Sequence, residues 1–372
     1  MSLSILHVCP RPSFSGLEAY AFSLAADQKA RGLNITMMVL PASRLAEKCA
    51  SSEISTIFSR KELGLGIRAK RWQVIHLHST QDLAVVLPSL IGAKLRGIAL
   101  PKVVLQTHIL ISHSKKDPIH FFEYLFVDEM WCSSLPAQSL LQKYIPIAKD
   151  KIKVIRYGRD IEKTFGGFLK REVARKALGV DQDAIVVGLV SRIDPQKGIK
   201  EFLEGAIPLM TSEPRLHLVF IGGRTEDDPK AWAYAEAIEK YHSLLSPSLA
   251  ERVHFKGAMS DSFKYMPGLD LYALPSYKEC FALSLLEAQL AGLPVLGTSS
   301  GGTPDVVIEN QTGFLFEPED PSSASDALKR ALSAQPKWKE FGSRASKRIT
   351  EEFSFEKISG SIIEKYRALV GV

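Results

Sequence analysis

Cysteine is scarce in this chain. The four residues, Cys9, Cys49, Cys132 and Cys280, form no C-x-x-C pair and none of the spacings typical of zinc ligands. They read as reduced thiols, so a disulfide-stapled secreted module is excluded and a cytosolic setting is expected. Long apolar runs are missing too. No stretch of about 18 uncharged apolar residues occurs, and no basic region followed by an apolar segment opens the chain. The expected protein neither spans a membrane nor carries a secretory leader. No G-x-G-x-x-G follows a strand, which removes the fingerprint of nicotinamide-binding folds. Metal-ligand patterns are equally thin. Asp181-Gln182-Asp183 has a D-x-D look but precedes a strand, and Asp227-Asp228 sits in a polar loop. Both read as solvated or capping residues, and neither a metal nor another cofactor is expected.

What is present is an ordinary globular composition, 45% apolar and 24% charged, in 372 residues, enough for two domains that each bury a core. The net charge of +6 is unevenly spread: residues 1–160 hold 21 Lys and Arg against 12 Asp and Glu, a balance of +9, leaving −3 for the remainder. Within the basic half, Arg60, Lys61, Arg68, Lys70 and Arg71 surround Leu63, Leu65 and Ile67. Such interleaving suits an anionic membrane surface, with Lys61, Arg68, Lys70 and Arg71 as its contacts; a solvated basic loop is the alternative.

Short β-rich runs alternate with helical stretches. Residues 3–9, 35–40, 74–77 and 102–106 read as strands, with helices over 19–31, 82–95 and 135–144. The pattern restarts with strands over 184–190, 216–221, 253–255, 271–274 and 294–297 and helices over 199–210, 231–245 and 282–291. The fold class is therefore α/β, with parallel sheets of βαβ units. Residues 159–182 read as linker and first elements of the second domain, and the chain after Asp320 as helical.

In such sheets ligands sit beyond the carboxyl ends of strands. There, Pro275 to Ala291 places Glu279 and Glu287 eight positions apart across a loop-to-helix junction. Glu287 lies in an apolar helix, where a carboxylate needs donors or a wet cleft. Glu279 precedes the helix, near the free N–H groups of Phe281, Ala282 and Leu283. The pair reads either as an edge for hydroxyls and phosphate or as a cap plus a Glu paired to a core Arg. After the strand at 184–190, Arg192 and Lys197 beside Gly198 suit a diphosphate. Gly16, at a helix start, allows a phosphate near the backbone. Histidines follow the strands of the first half: His76 as a strand residue, His78 at a strand end where it lines a cleft, then His108 and His113.

Taken in order, these pieces resemble the retaining GT-B glycosyltransferases of glycosyltransferase family 4. The residues that carry the resemblance are Ser15-Gly16-Leu17-Glu18, His108, Tyr157-Gly158-Arg159-Asp160, Arg192, Lys197-Gly198, Pro275 through Glu287, Ala291 to Val295, Gly301-Gly302-Thr303-Pro304-Asp305 and Thr312-Gly313-Phe314. The resemblance implies two Rossmann-like doubly wound domains facing across a cleft. Residues 1–158 would form the acceptor domain, with a helix at 353–372 crossing back, and 159–352 the donor domain. It implies that Arg192 and Lys197 bind the nucleotide diphosphate and Glu287 the ribose. Glu279 with the amides of Cys280, Phe281, Ala282 and Leu283 would hold the sugar and distal phosphate. Gly16 would approach the diphosphate, His108 the sugar, Met259 the nucleobase edge, and His78 would lie on the acceptor side. Ser15 for a glycine, a cysteine at 280 and Asp305 for a glutamate depart from the family pattern. The implied reaction is retaining, metal-independent hexosyl transfer from a UDP- or GDP-sugar to an anionic lipid-linked or saccharide acceptor, as in glycolipid, lipopolysaccharide or polysaccharide synthesis. The expected place is the cytoplasm, peripherally on the inner membrane face, without nucleic acid as a partner. A nucleotide-sugar epimerase or a non-catalytic nucleotide-sugar sensor is the rival reading.

Overall fold

Seven parallel strands of the first half pair in the order β3-β2-β1-β4-β5-β6-β7. In chain order they and their helices are β1 (Ser4–Val8), α1 (Gly16–Ala30), β2 (Asn34–Met38), α2 (Arg44–Ser51), β3 (Ser55–Ile57), α3 (Arg60–Arg68), β4 (Val74–Leu77), α4 (Thr80–Lys94), β5 (Lys102–Gln106), α5 (Pro118–Tyr124), β6 (Glu129–Cys132), α6 (Leu135–Tyr144) and β7 (Ile152–Val154). Side chains of Ser43, Ser59, Ser79, Asp117 and Ser134 accept the first helical N–H groups, so the junctions into α2, α3, α4, α5 and α6 carry their own start signals. The computed structural model describes residues 2–14, 16–224 and 228–372 and divides into two units, 1–158 with 356–372 and 159–355. Ser15 and Asp227, both read from the sequence above, lie outside the described residues.

The second unit has six parallel strands in the order β10-β9-β8-β11-β12-β13. Its elements are α7 (Ile161–Gly167), α8 (Arg171–Leu178), β8 (Ile185–Val190), α9 (Ile199–Ser212), β9 (Leu216–Ile221), α10 (Pro229–Ser243), α11 (Pro247–Ala250), β10 (Val253–Phe255), β11 (Leu271–Leu274), α12 (Leu283–Leu290), β12 (Val295–Thr298), α13 (Thr303–Val306), β13 (Gly313–Phe316), α14 (Pro321–Ser333) and α15 (Trp338–Glu352). The segment expected as linker is thus largely helical. The last helix, α16 (Phe355–Val370), belongs to the first unit from Glu356 onward, three residues beyond the expected start of the returning segment.

Arg175 is fully buried beneath the second sheet. Its guanidinium donates to the carbonyls of Asp181, Gln182 and Ala184 and pairs with Asp270 at 2.6 Å. Asp270 also accepts from Val186 N–H, so one ion pair ties α8 to β8 and the start of β11. The Asp181-Gln182 stretch is therefore a backbone acceptor for Arg175. Arg175→Ala is expected to lower stability by about 2–3 kcal/mol, because it strips the carbonyls of Asp181, Gln182 and Ala184 of their donor while Asp270 keeps its second partner, Arg171; a denaturant melt checks this, and a loss below about 1 kcal/mol would refute it.

The first unit buries an unusual polar layer. His7 on β1 and His76 on β4 are register partners, and His78 follows two residues later on the same face, all with no exposed surface. His7 Nδ1 meets His78 Nε2 at 3.0 Å, His7 Nε2 meets Gln28 Oε1 at 2.8 Å, and His76 Nδ1 meets the Tyr366 hydroxyl of α16 at 2.5 Å. Although no metal-ligand spacing marks them in the sequence, ligand atoms of these three histidines lie within 4.8 Å of one another. Burial pushes His7 down to about 4 and holds His76 and His78 well below the ordinary histidine range, so the imidazoles are neutral at pH 7.

Candidate active site

The strand order of the second sheet reverses between β8 and β11, and the loops leaving those two strands bound a crevice at their carboxyl ends. The loop after β8 carries Arg192, exposed, and Lys197 in a one-turn 3-10 helix that Asp194 caps. The loop after β11 carries Glu279. Lys197 Nζ and Glu279 Oε1 form an ion pair, with side chains 22% and 17% exposed, so both keep an open side. Tyr277 N–H donates to the Gln196 carbonyl at 2.8 Å and fixes the two loops together. Gly198 makes this approach possible. It sits at φ +61, and a Cβ there would fall 2.2 Å from the Pro275 carbonyl oxygen.

A third loop, after β12, closes on Glu279 from behind. Gly302 N–H donates to the Glu279 carbonyl at 2.8 Å, and a Cβ on Gly301 would lie 2.2 Å from that oxygen. Cys280, Phe281 and Ala282 are buried, and Ala282 is the N-cap of α12 without any side-chain cap. The leading N–H groups of α12 therefore end beside the Lys197–Glu279 pair. One site thus presents a cation, a carboxylate and helix N–H groups, the set that a sugar diphosphate requires.

Glu287, one turn into α12 and 8% exposed, is paired with Arg159. The Arg159 guanidinium also lies over the Phe263 ring at 5.8 Å, and its backbone is held by Phe353 and Phe355. The arginine that pairs with Glu287 comes from a position 128 residues away in sequence. Met259, expected at the nucleobase edge, is half-buried in the loop after β10, two strands from β8.

In the first unit, His108 follows β5, bonds the Tyr157 hydroxyl through Nδ1, and stacks on both Tyr157 and His78. Burial lowers it to about 4 against the opposing pull of Glu18. It is a neutral hydrogen-bonding group at pH 7, with Nε2 unpartnered among the described residues. Gly16 opens α1 at the reversal between β1 and β4, and a Cβ there would meet nothing within 4 Å.

Comparison with known proteins settles what this assembly of loops belongs to. The family described as glycosyl transferases group 1 matches residues 170–348. Residues 170–348 are a group 1 glycosyltransferase domain. The D-inositol 3-phosphate glycosyltransferase of Corynebacterium urealyticum is 31% identical over 224 residues, 59% of this chain and 52% of that protein. That of Gordonia bronchialis is 27% identical over 314 residues, 80% of this chain and 61% of that protein. The matches thus span between half and about three fifths of these curated relatives. Among solved structures, a glycosyltransferase from Rickettsia africae ESF-5 superposes with a TM-score of 0.85 at 18% identity, over 99% of each chain. Anabaena Alr3699/HepE in complex with UDP superposes at 0.82 and 19% identity, over 98% of this chain and all of that one. The fold is that of the GT-B glycosyltransferases.

Two expectations need correction. His78, placed on the acceptor side by its position at a strand end, is fully buried. Lys61, Arg68, Lys70 and Arg71 do not accompany a free apolar face either. Leu63 and Ile67 point into the core, where α3 packs on α4 and Gly66 receives the Trp72 ring; only Leu65 of the apolar residues is exposed. The segment is a basic helix surface, not a membrane-lying stripe. His113 is exposed on the loop before α5. The residues that sequence reasoning left without a role are Arg159, Tyr157 and the Gly301-Gly302 pair.

Proposed function

We propose that this protein transfers a hexose from a nucleoside diphosphate sugar to an acceptor hydroxyl with retention at the anomeric carbon. The observation that carries the reading is the Lys197–Glu279 pair at the β8/β11 reversal, under the uncapped start of α12. Lys197 and Arg192 face the charge that develops on the departing diphosphate, the α12 N–H groups hold the distal phosphate, and Glu279 accepts hydrogen bonds from the sugar. The catalytic contribution is positioning and charge stabilisation. UDP is the favoured carrier, supported by the likeness to Anabaena Alr3699/HepE, solved with UDP and with UDP-glucose. GDP is the second choice.

The acceptor is an anion, matched to the +9 balance of residues 1–160. The name of the curated relatives, which contains a phosphorylated inositol, supports this class. A lipid-linked phosphate or an acidic saccharide of a glycolipid, lipopolysaccharide or polysaccharide fits the same chemistry.

The test is release of nucleoside diphosphate from UDP-glucose or GDP-mannose, with and without an anionic acceptor. Release that requires the acceptor supports transfer; release without it points to an epimerase-type elimination, and none from any donor overturns the reading. Two cations already face the leaving group, so turnover is expected to stay within about twofold in excess EDTA. Loss on chelation, restored by Mg²⁺ or Mn²⁺, would contradict a metal-independent site.

A further inference from the structure

Among the described residues of the first unit, the exposed large apolar side chains gather not on α3 but on and beside α5. Over residues 109–125, Ile109 is 64% exposed, Ile119 71%, Phe121 52%, Phe122 49% and Leu125 74%. On α5 only Tyr124 is buried, so the helix is apolar on the side that meets the protein and apolar on the sides that do not. A helix of that composition is normally enclosed by other apolar matter. The end of α4, which packs against α5, adds Leu95 at 83% exposure.

Cations rim this surface. Lys94 lies over the Phe126 ring at 5.2 Å, Arg96 follows at the end of α4, and Lys115 and Lys116 precede α5. Two acids oppose them, Asp117 and Glu123. Asp117 is occupied, capping α5 and pairing with His120. Phenylalanine and isoleucine ringed by lysine and arginine match the boundary of an anionic bilayer, where apolar side chains enter the acyl region and cations meet lipid phosphate.

We propose that this surface seats the first unit on an anionic membrane, with Ile119, Phe121, Phe122 and Leu125 inserted and Lys94, Arg96, Lys115 and Lys116 at headgroup level. Given the acceptor class proposed above, the surface would bring the enzyme to lipid-linked acceptors. The two readings fail separately, because UDP-glucose binding followed by thermal shift needs no vesicle.

Co-sedimentation with phosphatidylcholine vesicles containing half phosphatidylglycerol, at about 0.1 M salt, tests it. The parent is expected to bind these and to bind pure phosphatidylcholine at least tenfold less. Phe121→Ser with Phe122→Ser should cut partition at least tenfold, and Lys115→Glu with Lys116→Glu should flatten its salt dependence. The two phenylalanines and Lys116 are exposed and Lys115 is half-buried, and an unchanged melting temperature confirms that each variant folds. Reversal of Lys61, Arg68, Lys70 and Arg71 to Glu should cost less than the phenylalanine pair. A parent that ignores anionic vesicles overturns the proposal, as does a phenylalanine variant that binds like the parent or a larger loss in the α3 variant. If the phenylalanine pair instead converts a parent dimer to a monomer without changing vesicle binding, the surface joins two copies of the chain.

Discussion

Lys197→Ala is expected to lower sugar transfer by about 10²–10³-fold while leaving the melting temperature within about a degree or two. The rate effect follows from removing a preorganised cation from the departing diphosphate, a loss of about 3–4 kcal/mol in the transition state. The stability effect is small because the Lys197–Glu279 pair is partly exposed, and such pairs contribute about 0–1 kcal/mol. Glu279 would be left facing the phosphates without its partner, which adds repulsion to the loss. Lys197→Arg should not restore full rate, since Gly198 and Tyr277 hold this loop close and leave a point charge, not a planar fork, at that place. Glu279→Ala should damage turnover more than affinity for bare UDP. Nucleotide release under saturating donor measures turnover and calorimetric titration with UDP the affinity, and Lys197→Ala activity within threefold of the parent would remove the phosphate-site assignment.

Acid should unfold the first unit well before it affects ordinary surface carboxylates. His7, His76 and His78 are neutral in the folded state with depressed pKa values, so the unfolded chain binds protons below about 6.5 that the folded chain refuses. Stability is therefore full above about 6.5 and is lost as the pH falls. Asp82 acts the other way. Burial raises it to about 7 despite the Arg11 ion pair at 3.0 Å, so protonation there favours the folded state on acidification. His108, lowered to about 4 in the same unit, adds to them, and four histidines against one aspartate leave roughly three protons, or about 4 kcal/mol per pH unit between about pH 5.5 and 4. Against a stability of about 5–15 kcal/mol this produces an acid transition in that range. Melting temperatures read by circular dichroism from pH 7.5 to 4.5 check it, and a flat profile down to pH 5 would show that the imidazoles titrate normally.

Much of the architecture was legible because it depends on local periodicity. The strands Val74–Leu77, Lys102–Gln106, Leu216–Ile221, Val253–Phe255 and Leu271–Leu274 fall on the residues that the apolar runs indicate. The strands Ser55–Ile57, Glu129–Cys132 and Ile152–Val154 do not announce themselves. They are short, and a serine, a glutamate or a lysine interrupts the apolar pattern, so only a neighbouring strand makes them strands. The His78 error is one of parity: residues two apart share a face, so a buried His76 commits His78 to the same layer. Leu63 and Ile67 are four apart and line one side of a helix, which a loop reading of that stretch conceals. At the site, Lys197 and Glu279 were legible because each sits in a strand-end loop of recognisable pattern. The Arg159 partner of Glu287 was not, since nothing local links residues so far apart in the chain.

The return of residues 356–372 to the first unit has a consequence for how the chain is made. Tyr366 bonds His76 and stacks on Trp131, yet it emerges from the ribosome after every residue of the second unit. The second unit, continuous in sequence, can close its core as it is synthesised, whereas the first must wait with an incomplete one until residues 356–372 have been made. Its polar histidine layer then lacks the Tyr366 partner during that interval, so a chain stalled before Tyr366 has a second unit able to fold while the first, made ahead of it, is still incomplete.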